Sequence, residues 1–146
     1  MLITHMTIAT FDASHPHSAV APSEYKPGVC NIGPAEIARR RRAGHTGLLA
    51  ALGLFAALVL VGAPDWTRFL VAIPAIVAAS GYIQAQLRFC AGFGSAGVFN
   101  FGELGPTERV QSDADRARDR ARSFQIGLAS FAIGIAAGVI AFALPV

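Results

Sequence analysis

Three long apolar runs without a charged residue, 43–64, 69–87 and 123–146, constrain this chain more than any other feature. Each is long enough to cross a hydrocarbon core of roughly 30 Å as a helix of about 20 residues. A barrel strand would alternate apolar and polar residues, and that pattern is missing here. Hydrophobic residues make up 53% of the sequence and charged residues 14%, which is typical of a membrane protein. The sequence therefore predicts an all-α membrane protein with three transmembrane helices.

The basic residues lie almost entirely on one side of these runs. Lys26 and four arginines precede the first run, six arginines separate the second from the third, and only Arg68 lies in the intervening hairpin. Lys and Arg are retained in cytoplasmic loops. We therefore expect a multi-pass protein of a cell inner membrane, with the N-terminus cytoplasmic, the C-terminus outside and the functional face cytoplasmic.

A run of four arginines directly abuts the first span and is predicted to anchor this topology. It consists of Arg39, Arg40, Arg41 and Arg42. Their stems can lie along apolar surface while the guanidinium groups reach lipid phosphates. Basic residues at a membrane surface, interleaved with acids, favour the lipid bilayer as the partner and argue against nucleic acid.

The remaining segments divide the chain into a tail and one membrane domain. Residues 1–28 contain few large apolar residues and several prolines, which predicts a tail that is disordered or draped on a partner. Residues 29–146 form the membrane domain. Its segment 88–105 is rich in Phe and Gly and has no regular periodicity, so we expect a cytoplasmic loop that lies in the interface, dips into the bundle or packs on another subunit. Residues 106–122 alternate acids and bases, which predicts a solvated charged helix running into the third span.

Small residues recur every four positions in the third span, at Ser130, Gly134 and Gly138. Such a stripe lets another helix approach closely. The partner helix belongs either to the same chain or to another membrane subunit, including a second copy.

Cys30 and Cys90 are the only cysteines, and the predicted topology places both at the cytoplasmic membrane surface. If close together, they could act as a redox pair, as a sulfur carrier or as two ligands of a metal site with His45 nearby. Inert packing is the alternative, since cysteine is a common small apolar filler. The spans contain no carboxylate, which argues against an ion pump. The cofactor stays unknown, since a cofactor or pigment held between spans in a larger assembly is a third alternative.

The stretch from about residue 29 to 95 carries a set of short motifs: Asn31-Ile32-Gly33, Glu36, Arg39 or Arg40, Gly44, Gly47 and Phe89-Cys90. In these it resembles the YgaP-like inner-membrane domain family of uncharacterised function. The resemblance implies a membrane-anchored helical hairpin that closes on a cysteine-containing loop and supports self-association. Ala91 stands where that family has a proline after the cysteine, and the third span is additional.

Besides a cofactor or pigment bound between spans, two functions remain open. Abundant packing surface with little buried ionisable chemistry favours a non-enzymatic accessory or scaffold subunit. The alternative is a cytoplasm-facing thiol or metal site built from Cys30 and Cys90.

Overall fold

The computed structural model describes residues 25–146. The prediction for the tail lies outside these residues, apart from its last four positions. Three long helices make up most of the described chain: α1 (Pro34–Leu60), α2 (Ala72–Leu87) and α4 (Asp113–Ala143). A short α3 (Ala91–Ala96) and a two-stranded sheet of β1 (Val98–Phe99) and β2 (Glu108–Arg109) lie between α2 and α4.

Within residues 25–146, three helical segments are long and apolar enough to cross a membrane, as the sequence predicts. α1 begins at Pro34, whose missing N–H costs nothing in the first turn of a helix. A 3₁₀ helix, Asp65–Val71, runs directly into α2. Pro74 lies in the first turn of α2, just after the change from 3₁₀ to α-helical geometry.

α2 lies between α1 and α4, and each of these packs chiefly on α2. Glycines make both contacts close. A Cβ atom on Gly47 would lie 2.5 Å from the backbone nitrogen of Ala78, and one on Gly81 would overlap the backbone of Gly44. On the other side of α2, a Cβ atom on Gly134 of α4 would overlap Ile76.

The two ends of this three-helix layer differ in charge. α1 begins, α2 ends and α4 begins at the same end, which we call the basic end because all the Lys and Arg residues except Arg68 lie there. At the opposite end, Arg68 is buried, donates to the backbone oxygens of Leu144 at 2.9 Å and Val146 at 2.7 Å, and pairs with Asp65 at 2.9 Å. This arginine therefore fastens the end of α4 to the hairpin that precedes α2.

Residues 25–33 and 88–112 fold over the basic end and are called the cap from here on. The cap corrects two sequence-based expectations. The Phe/Gly segment 88–105 is not irregular throughout, because it contains α3 and β1, and β1 pairs antiparallel with β2. The charged helix predicted over 106–122 begins only at Asp113, where the Ser112 hydroxyl accepts a hydrogen bond from the Asp115 amide at 3.3 Å and caps it.

Candidate functional site

The junction between the cap and the helices buries a set of polar side chains. They are Asn31, Glu36, Gln84, Cys90, Asn100, Asp119 and Ser123. Buried polar groups destabilise a fold unless they are hydrogen-bonded. The hydrogen-bond partners of these groups therefore show which parts of the chain the junction holds together.

Asn31 ties three parts of the chain together and is fully buried. Its side-chain oxygen accepts from the Cys90 amide at 2.7 Å, and its side-chain nitrogen donates to the Cys90 carbonyl at 3.1 Å. Its own backbone amide donates to the carbonyl of Arg88, and its carbonyl accepts from the amide of Asn100. One residue of the N-terminal segment thus holds the end of α2 and the residue that follows β1.

The second cluster joins α1 to Cys90 through an ion-pair network. Glu36 is 1% exposed and pairs with Arg39 at 3.3 Å and with Arg40 at 3.4 Å. Arg40 also donates to the Cys90 sulfur at 3.0 Å and lies 6.0 Å from the ring centre of Phe93. The Cys90 sulfur in addition accepts from the Phe93 amide at 3.4 Å, as the cap of α3. Arg40 therefore connects a buried carboxylate to a buried sulfur.

The two thiols have different surroundings, and both are free. Cys30 packs beside Phe99, Phe101 and Val110 of the cap, and its sulfur lies 3.9 Å from the carbonyl oxygen of Ile32. Cys90, by contrast, faces Arg40 on α1.

His45, the third candidate metal ligand, bonds neither thiol. Its Nδ1 lies 2.7 Å from the Tyr82 hydroxyl on α2. In the described part of the chain, no three His, Cys, Asp or Glu side chains group as metal ligands would. The structure thus gives Cys30, Cys90 and His45 three separate sets of partners.

Asp119 departs from the solvated helix that its alternating neighbours predict, because it is completely buried. Its carboxylate accepts from the Tyr25 hydroxyl at 2.8 Å and from the Gly28 amide at 2.6 Å. Burial of the phenol and its hydrogen bond to Asp119 both raise the pKa of Tyr25 above its ordinary value. Gly28 has a φ of +70°, a conformation that glycine adopts without strain. Asp119 thus holds the N-terminal segment against α4.

The predicted small-residue stripe of α4 faces the rest of its own chain. Ser130, Gly134 and Gly138 are all buried, and the Ser130 hydroxyl donates to the Ile126 carbonyl at 2.7 Å. A Cβ atom on Gly138 would lie 2.9 Å from the Cβ of Ala72. In this chain the stripe serves the contact of α4 with α2.

Of the four arginines predicted to anchor the topology, two are committed to Glu36 and two are not. Arg39 and Arg40 form the ion pairs described above, whereas Arg41 and Arg42 are exposed and form no ion pair within residues 25–146. Arg41 and Arg42 are therefore available for a partner outside the described chain.

Sequence reasoning missed three features of this site: the bridging role of Asn31, the burial of Asp119, and the close crossing of α1 and α2 at their glycines. For the last, the pair Gly44 and Gly47, one turn apart at the start of a span, was a usable signal. No local pattern predicts that Asp119 is buried, because it has the same helical spacing from neighbouring charges as the other aspartates of this segment.

The fold defines a small, mostly helical protein with three membrane-length helices in its described part and a hydrogen-bonded cap at the basic end. Comparison with protein-family models, curated proteins and solved structures found no match. The resemblance of residues 29–95 to the YgaP-like inner-membrane domain family therefore stays a prediction.

Proposed function

We propose that this protein is a multi-pass inner-membrane protein that serves as a non-enzymatic accessory or scaffold subunit, with the cap on the cytoplasmic face. The proposal rests on one observation: most of the apolar surface of the long helices is not covered by other parts of the same chain. In the most apolar 18-residue stretches of α1 and α4, only 17% and 28% of the residues are buried. These helices offer surface to other membrane helices as well as to lipid.

Two glycines mark where a partner helix could approach. A Cβ atom on Gly53 of α1 or on Gly127 of α4 would meet nothing within 4 Å. Small residues on an outward face allow the backbones of two membrane helices to come close. The self-association implied by the resemblance to the inner-membrane family agrees with this proposal.

The buried polar groups support the same function because most of them bond to the cap backbone or to neighbouring arginines. Asn31 and Asp119 hold backbone amides, and Glu36 holds two arginines. A cap fixed in this way presents a defined surface to a partner subunit.

The experiment measures assembly after gentle extraction from the membrane. We expect native mass spectrometry to find an oligomer or a co-purifying subunit, and Gly127→Leu to disrupt it because the new side chain fills the approach surface. Ala132→Leu is the matched control, since Ala132 is also exposed on α4 but on a different face. A strictly monomeric wild-type protein without a partner would contradict the proposal.

Thiol chemistry at Cys90 is the second candidate function, favoured by the 3.0 Å contact from the Arg40 guanidinium to the sulfur. Reactive cysteines lie in electropositive surroundings. If the sulfur reacts in its function, an oxidant should modify Cys90 in the folded Cys30→Ser variant, and Arg40→Gln should slow that reaction more than Arg42→Gln does. A Cys90 that reacts only after unfolding would assign it to packing.

A further inference from the structure

A groove of about 300 Å³ lies between α1 and α2 at the basic end. Its lining consists of Arg41, Tyr82, Ile83, Ala85 and Gln86. It is distinct from the cap junction, because none of these side chains bonds to Asn31, Glu36 or Asp119. Nothing in the proposed scaffold function uses it.

The groove has its shape because a glycine faces a tyrosine across the two helices. A Cβ atom on Gly44 would lie 3.0 Å from the Tyr82 ring, so the ring lies directly against α1. The Tyr82 hydroxyl is bonded to His45 at 2.7 Å, and the two rings meet edge to face at 5.4 Å. The aromatic wall of the groove is thereby fixed from two sides.

The lining is graded from polar to apolar along the helix axes. Arg41 lies on α1 two residues before the apolar run that begins at Ala43, and Gln86 lies in the last turn of α2. Both polar side chains are therefore near the membrane-surface end of the groove. Tyr82 and Ile83 lie about one turn deeper toward the middle of the span. A ligand that fits this order has a polar head at the membrane surface and an apolar body below it.

The charge of the groove lining favours a ligand whose polar head is an anion. Arg41 is exposed and has no ion-pair partner in the described chain, unlike Arg39 and Arg40. No carboxylate lines the groove. A guanidinium group donates two parallel hydrogen bonds to a phosphate, and basic pockets between membrane helices suit anionic headgroups.

We propose that this groove binds an anionic phospholipid, with its phosphate on Arg41 and Gln86 and its glycerol and upper acyl chain along Tyr82 and Ile83. The proposal needs only that α1 and α2 cross a membrane. It does not depend on the scaffold function, because a monomer carries the complete groove.

The experiment compares lipid binding by wild-type protein and matched variants, using native mass spectrometry of protein titrated with phosphatidylglycerol or phosphatidylcholine. We expect wild-type protein to prefer phosphatidylglycerol, and Arg41→Gln to weaken its binding about tenfold, as loss of a charge-assisted pair predicts. Arg42→Gln removes the neighbouring charge, which lies outside the groove, and should change the affinity less than about twofold. Arg41→Lys should fall between wild type and Arg41→Gln, because it keeps the charge but loses the paired donors.

Three results would overturn the proposal. Equal losses in Arg41→Gln and Arg42→Gln would show general attraction of headgroups to the basic end. Equal affinity for the two lipids would show that the groove does not select the net negative charge of the headgroup. Displacement of bound phosphatidylglycerol by inorganic phosphate would show a simple anion site in which the apolar lining contributes nothing.

Discussion

A methyl group added at the crossing of α1 and α2 should destabilise the protein, whereas the same methyl group on the outer face of α1 should not. The test variants are Gly47→Ala and Gly81→Ala, and the control is Gly53→Ala. A Cβ atom on Gly47 would lie 2.5 Å from the Ala78 backbone nitrogen, while one on Gly53 would meet nothing within 4 Å. Backbone atoms cannot rotate away as a side chain can, so the helices must move apart.

The expected size follows from two opposing effects. Overpacking a tight contact by one methyl group costs about 1–3 kcal/mol. Replacing glycine by alanine inside a helix stabilises the helix by up to about 1 kcal/mol. Because all three variants make the same chemical change, subtracting the result for Gly53→Ala removes the helix-propensity contribution. The remaining difference should be about 1–3 kcal/mol of destabilisation for Gly47→Ala and for Gly81→Ala.

Unfolding of the monomer by SDS titration in mixed micelles measures this difference, with fluorescence of the chain's single Trp as the signal. The pair Gly134→Ala and Gly127→Ala repeats the comparison on α4, where Gly134 faces Ile76 and Gly127 faces open space. Equal unfolding midpoints within each pair would refute the glycine-dependent packing of the three helices.

Three further perturbations test the two ends of the molecule. Asn31→Ala leaves the buried amide of Cys90 without an acceptor, so we expect a loss of about 1–3 kcal/mol and faster hydrogen exchange at that amide. Arg68→Met removes two charged hydrogen bonds from the end of α4, so hydrogen exchange at the amides of Leu144 and Val146 should become faster, whereas Arg42→Met should leave it unchanged. Since the pKa of Tyr25 is raised in the fold from an ordinary 10.0, its stabilising contribution is complete below pH 10.0 and is lost as the pH rises toward the folded pKa. Tyr25→Phe should reduce this alkaline loss in denaturant midpoints measured across that range, and an unchanged loss would contradict the role of the Asp119 contact.

The three membrane-length helices could be predicted because their signal is local and redundant. Length and apolarity over some 20 consecutive residues suffice, and no knowledge of neighbours in space is needed. The small stripe at Ser130, Gly134 and Gly138 was visible for the same reason, since its period is that of one helix. The helix that packs against this stripe could not be predicted, because the sequence alone allowed either the first two spans of the same chain or a helix of another subunit.

The cap could not be predicted, because its structure depends on contacts between distant residues. Asn31 bonds to Cys90, 59 positions away, and Gly28 bonds to Asp119, 91 positions away. Short elements such as α3 and β1 have too few residues to establish a period of their own. Cys30 and Cys90 show the same difficulty. The predicted topology puts both near one surface, but their side chains have different neighbours, which only the fold specifies.

The two parts of the molecule are held together by different forces, and this difference follows from their surroundings. Lipid supplies no hydrophobic drive for helices to associate, so α1, α2 and α4 depend on close packing at glycines. The cap lies beyond the apolar runs, where burial of Phe99 and Phe101 is favourable and buried polar groups must find partners. Asn31 and Asp119 supply those partners from the N-terminal segment and from α4. A variant such as Asn31→Ala should therefore loosen the cap while the α1–α2 crossing persists, and Gly47→Ala should weaken the crossing while the Cys90 amide stays protected.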